Sequence, residues 1–119
     1  MISNQRFGPT IRSLRTERGI SLRKFAARIG ITPTYLSKIE REEVPPPAED
    51  KIQLMAKEMG QNPDELLALA GRVAADIPKL VQKNPKDMAD FLREASELSG
   101  KEFKRLHAQL KRMTAANKK

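Results

Sequence analysis

The chain has 119 residues, with 23 Lys and Arg against 15 Asp and Glu, a formal net charge of +8. That length suits one compact unit with a small appendage, and the basic balance suits a polyanionic partner. Cysteine is absent, which excludes disulfides and thiolate metal sites.

The pattern reads as helices throughout, an all-α chain with no alternating Val-, Ile- or Thr-rich run. A first helix is expected over about 8–18, where Phe7, Ile11, Leu14 and Arg18 recur at helical spacing before Gly19. A second starts at Ser21, a good N-cap, and runs to Ile29. Its apolar face is Leu22, Phe25, Ala26 and Ile29. A third has Thr32 as N-cap and Pro33 at its first position, where a missing N–H costs nothing, and ends near Arg41. A fourth spans about 48–59, with Ile52, Met55, Ala56 and Met59 on one face. A fifth has Asn62 as N-cap, then Pro63, with Asp64 and Glu65 suiting the helix dipole. Beyond Gly71 a short helix is expected over about 74–83. Asn84-Pro85 repeats the cap-then-proline start of another, which presents Met88, Phe91, Leu92, Ala95 and Leu98. Ser99-Gly-Lys-Glu102 has the form of a capping box. The last helix presents Phe103, Leu106, Leu110 and Met113, and the tail AANKK is expected to fray.

Charge is unevenly spread. Residues 6–41 carry nine basic side chains against two acids, residues 42–71 two against seven, and residues 72–119 twelve against six. The first and last segments are therefore the ones that suit a polyanion. The N-terminus has no apolar h-region and no run is long enough to span a bilayer, so neither a signal peptide nor a membrane anchor is expected.

The most informative stretch is 21–41, SLRKFAARIGITPTYLSKIER. It reads as two short helices joined by a turn centred on Gly30. A steep crossing needs a small residue, supplied by Ala26, and an abrupt exit favours positive φ, supplied by Gly30. Ile31 can plug the corner, while Leu36, Ile39 and the body of Tyr35 face the core. Thr34, Ser37, Lys38 and Arg41 share the opposite side, which carries no carboxylate. Such a face can read base edges and touch phosphates in a major groove. Residues near the helix start go deepest, so the base-reading candidates are Pro33, Thr34, Ser37 and Lys38. Arg23, Lys24, Arg28, Tyr35 and Arg41 are the phosphate candidates.

Residues 6–71 resemble the Xre/Cro-type helix-turn-helix family of phage and bacterial repressors. The resemblance is carried by IRSLRTERGISL, FAARIGITPTYLSKIER, the proline loop, MAKEMG and NPDELLALAG. It implies a five-helix lambda-repressor-like domain over 6–71, whose third helix enters the major groove. It also implies a dimer that reads a near-palindromic duplex operator in a bacterial or phage-encoded, cytoplasmic setting. By position it implies that Arg15 and Glu40 form a charged pair tying the first helix to the end of the third. Two departures stand out. Leu22 occupies a place where many relatives have Gln, so half-site details do not carry over. Glu42-Glu43 replaces a frequent Gly, so that loop should turn away from phosphates or the docking should differ.

Segment 72–119 admits two readings. Phe91, Leu92, Leu98, Phe103, Leu106, Leu110 and Met113 offer more apolar surface than two short helices bury alone, which suits dimerisation. Alternatively these helices fold back on the first domain. The resemblance adds a rival function, since proteins of this fold also serve as antitoxins whose further helices bind a toxin or protease. No enzyme is expected: His107 is the single histidine, and there is no phosphate-binding Gly-rich loop, nucleophile elbow or metal motif. No cofactor is implied. Four Phe and one Tyr, scattered, give no stacking platform for single strands.

Overall fold

The computed structural model describes residues 6–118. Among them are eight α-helices and no strand: α1 (Phe7–Glu17), α2 (Leu22–Ile29), α3 (Pro33–Glu40), α4 (Glu49–Glu58), α5 (Pro63–Leu69), α6 (Asp76–Lys83), α7 (Pro85–Ala95) and α8 (Gly100–Asn117). No described helix is long and apolar enough to cross a membrane.

The chain divides into two compact units at Ala75–Asp76. The sequence reading places the boundary after Gly71. Residues beyond it go with the first unit because Ala74 packs against its core. In addition, the Arg72 guanidinium donates to the Pro46 carbonyl at 3.0 Å and to that of Pro47.

Four helices begin where a side-chain oxygen accepts a backbone N–H that the helix leaves unpaired. Ser21 accepts from Lys24 at 3.2 Å, Thr32 from Tyr35 at 3.1 Å and Asn62 from Glu65 at 3.1 Å. At α8, Ser99 accepts from the Glu102 N–H while the Glu102 carboxylate accepts from the Ser99 N–H at 2.9 Å, a complete capping box. Asn84 departs from expectation. Its backbone, at φ −142° and ψ 71°, makes no side-chain cap on α7. The tail also departs. α8 continues through Asn117, because Ala115 and Ala116 have the strongest intrinsic preference for helix.

In the first unit α1 and α2 pack on α3, while α4 packs on α2 and α5. Phe25, Ile11, Ile29, Leu36, Ile39, Ile52, Met55, Met59, Leu66 and Leu67 are fully buried at the centre. The α2–α3 corner turns on Gly30, whose φ of 74° needs a residue without a Cβ. The Ile31 N–H returns to the Ala26 carbonyl at 3.0 Å, closing the end of α2. Ala26 is itself buried, so α2 and α3 approach closely there. The second unit contains α6, α7 and α8, with α6 packed on α7.

Candidate nucleic-acid interface

α3 is held from behind and open in front. Leu36 and Ile39 anchor it in the core, and the Thr32 cap fixes its first turn. Pro33, Thr34, Tyr35 and Lys38 are exposed, and Ser37 is half-buried. The one carboxylate of α3, Glu40, points inward. Its Oε2 accepts from Arg15 Nε at 2.8 Å and its Oε1 from Arg15 Nη2 at 2.9 Å. The remaining terminal nitrogen of Arg15 donates to the Ile20 carbonyl at 2.9 Å. Both residues are buried, with Arg15 at 9% and Glu40 at 6% exposure. The bidentate hydrogen bond to Glu40 holds the Arg15 guanidinium above its ordinary pKa, against the opposing effect of burial. Neutralised in this way, Glu40 contributes no repulsion to the outer side of α3.

The cations around this strip differ in their freedom. Arg23 and Lys24 are exposed on α2 and make no ion pair among the described residues. Arg28 lies 3.8 Å from Glu58. Arg41 is held by Glu43 at 2.7 Å, and its Nε reaches the Ser37 carbonyl at 3.4 Å. Glu42 is held by Arg6 at 3.0 Å. The two acids after α3 are thus each engaged by an arginine of this unit.

Sequence reasoning missed three features. Gly8 sits where α1 meets the end of α3. A Cβ there would lie 2.4 Å from the Ile39 carbonyl oxygen and 2.9 Å from that of Glu40. Glu42 adopts φ 59°, the only described non-glycine residue with positive φ. It ends α3 as Gly30 ends α2, with the Glu43 N–H returning to the Lys38 carbonyl at 2.9 Å. Arg12 lines an open notch of about 220 Å³ with Arg15, Leu22, Ser37, Glu40 and Arg41. Only the frequent Gly of relatives at the Glu42 position hinted at any of these.

The candidates of the second unit are displayed rather than packed. Phe91 is 46% exposed, Leu92 52%, Phe103 49% and Met113 65%. Leu98 and Leu110 are exposed as well, and Leu106 is half-buried. Phe91, Ala95, Leu98 and Leu106 line a groove of about 250 Å³. The described residues contain no cluster of His, Cys, Asp or Glu suited to a metal ion.

Two short helices at a glycine corner, the second displaying an acid-free polar strip, define a helix-turn-helix DNA-binding domain. The helix-turn-helix family model matches residues 11–66, and the chain belongs to the Xre/Cro-like helix-turn-helix family. Among solved structures it is similar to the master regulator for biofilm formation SinR in complex with DNA. That match has 30% identity over 51% of this chain and 97% of that one, at TM-score 0.48. It is similar also to the SinR/SinI protein complex, at 24% identity over 92% and 98% of the two chains, TM-score 0.49. A third is the clp gene regulator ClgR from Corynebacterium glutamicum, at 24% identity over 72% and 85%, TM-score 0.48. No curated protein matches the chain.

Proposed function

We propose that this protein is a sequence-specific regulator of transcription that binds double-stranded DNA by placing α3 in the major groove, and that it acts as a dimeric repressor. The observation that carries the reading is the outer strip of α3. Thr34 and Lys38 are exposed, and the helix's single acid is buried against Arg15. Pro33, Thr34 and Lys38 face the bases in this reading, with Ser37 at the inner edge of the strip. Lys38 donates to guanine O6 or N7, and Thr34 meets a base edge or a thymine methyl. Arg23 and Lys24 take phosphates beside α2, and Tyr35 offers its hydroxyl to the backbone. Arg28 and Arg41 take phosphates by exchanging Glu58 and Glu43 for them.

The second unit supports pairing. Ala95 is its one buried hydrophobic residue among those described, too little core for three helices to stand without a partner. A second copy of the same helices supplies the missing surface, and two half-sites then follow from two-fold symmetry. The domain division at 6–71 and 72–119 is a functional one in this reading: recognition first, assembly after. The setting is the cytoplasm of a bacterium, with the protein encoded there or by a phage.

Selection of bound DNA from a random duplex pool tests the function. A near-palindromic motif with half-sites about 34 Å apart, or a multiple of that, is expected. Recovery of no enriched motif removes sequence-specific binding. The same exposed apolar residues favour one rival, a protein partner such as a toxin or protease held by α7 and α8. Sedimentation of the purified chain separates the two: a dimer supports self-association, and a monomer at every concentration assigns the surface to another protein.

A further inference from the structure

We infer that the notch beneath Arg12 is a phosphodiester site, with the Arg12 guanidinium as its principal ligand and the Ser37 hydroxyl as its second. The inference rests on the reading of α3 as a major-groove helix and assigns a DNA contact to α1, outside the helix-turn-helix pair. The notch, about 220 Å³ and open to solvent, lies where the middle of α1, the start of α2 and the last turns of α3 meet. The charges that line it are mostly spent. Glu40 and Arg15 satisfy each other at 2.8 and 2.9 Å, and Arg41 is held by Glu43 at 2.7 Å. Arg12 is exposed and makes no ion pair with any described residue. It is the one cation of the notch that can take an outside anion without first giving up an acid of the protein. Ser37, half-buried at the same wall, adds a hydroxyl of the kind that commonly donates to a phosphate oxygen.

Leu22 gives the site its purpose. It is the first residue of α2, where free backbone N–H groups suit an anion, and its own side chain offers no hydrogen bond. Arg12 shares the notch with Leu22 and can present donors to the same strand of backbone. A guanidinium there fits phosphate with two parallel N–H donors. The site reads no sequence; it sets register and adds affinity.

The test measures binding of the full-length wild type, Arg12→Gln, Arg12→Lys and Ser37→Ala to the duplex selected from the random pool and to a fixed scrambled duplex, over a range of salt. Arg12→Gln is expected to weaken both duplexes by a similar factor, about tenfold. It should lower the slope of log affinity against log salt by about 0.9, one released counterion. Arg12→Lys should restore the slope, and Ser37→Ala should weaken both duplexes less than Arg12→Gln does. Thermal melting should leave Arg12→Gln at the wild-type midpoint, since the side chain is exposed and unpaired. Wild-type slope and affinity in Arg12→Gln overturn the site while leaving the DNA reading intact. A changed preference among duplexes overturns it too, since a phosphate ligand cannot discriminate bases. If the wild type itself binds no duplex, the underlying reading falls and the site with it.

Discussion

Glu40 enters the interior only as half of a pair. Burying a lone carboxylate is costly, and removing one member of a buried pair leaves the other stranded. Glu40→Ala is therefore expected to cost about 3 kcal/mol, a fall in melting temperature of about 10–20 °C for a domain of this size. Arg15→Met with Glu40→Leu should recover much of that, since both charges leave together. Circular-dichroism melts of the three proteins decide it, and a Glu40→Ala loss within about 0.5 kcal/mol, the range of ordinary surface changes, discards the account. The pair should be insensitive to alkali. The raised Arg15 pKa means that its stabilisation is complete below the unfolded value and is lost only as pH climbs through the still higher folded one. Glu42 makes the opposite case. At φ 59° it bears a strain of about 1 kcal/mol that glycine would not. The ion pair it makes with Arg6, itself 80% exposed, is worth less than that after solvent screening. Glu42→Gly should thus raise the melting temperature slightly, and a clear fall would show that the Arg6 contact outweighs the strain. The Arg15–Glu40 pairing was legible through the family resemblance, with which the place of each residue beside its helix's apolar face agrees. The Glu42 conformation was not, because a hydrogen bond from Glu43 to Lys38 imposes it against the residue's own preference.

At the scale of the element, helix starts were readable wherever a short polar side chain could reach a free N–H, as at Ser21, Thr32, Asn62 and Ser99. Asn84 shows the boundary of that rule: the residue type fits, and the backbone around it does not aim the side chain. Close approach between helices was readable at Ala26, beside the glycine corner, but not at Gly8. Gly8 looks like a weak helix residue whose replacement by Ala should gain about 1 kcal/mol of propensity. The structure reverses that sign, since the new methyl would sit 2.4 Å from a backbone carbonyl oxygen, and overpacking against backbone costs about 1–3 kcal/mol. Gly8→Ala should therefore destabilise, and because the pressure falls on the end of α3, it should weaken DNA binding as well. A stable, tightly binding Gly8→Ala protein would show that α1 can back away without moving α3. The strip of α3 itself was legible because helical period alone separates Leu36 and Ile39 from Thr34 and Lys38. Its use gives a paired expectation. Lys38→Ala should relax preference at one base position by about 1–3 kcal/mol, while Arg28→Ala weakens all sequences alike. Competition among single-base variants of the selected duplex measures both, and uniform losses in both proteins refute the division of roles. The Arg28 effect should be the smaller, because Glu58 at 3.8 Å competes for it.

For the whole molecule, the proposed function has the two units divide a task that neither would complete alone. A single small domain makes too few base contacts for tight operator binding, and the second unit has too few buried residues to be content alone. Association through α7 and α8 would answer both needs, since binding one half-site places the other domain at high effective concentration near its own. The sequence showed the apolar side chains of 72–119 but left open whether they fold inward, because composition does not say what covers a surface. Phe91, Leu92, Phe103, Leu110 and Met113 are exposed, and in the proposed reading a second copy of the same helices covers them. Phe103→Glu puts a charge into that surface without touching the first unit. It should sediment as a monomer where the wild type is a dimer, bind the full operator about tenfold or more weaker, and bind a duplex carrying one half-site as the wild-type domain does. Its salt slope on the full operator should also fall toward half, because each domain brings its own phosphate contacts and releases its own counterions. A variant that stays monomeric yet keeps wild-type affinity and slope on the full operator would mean that the second unit serves some other protein, and that recognition is complete in one domain.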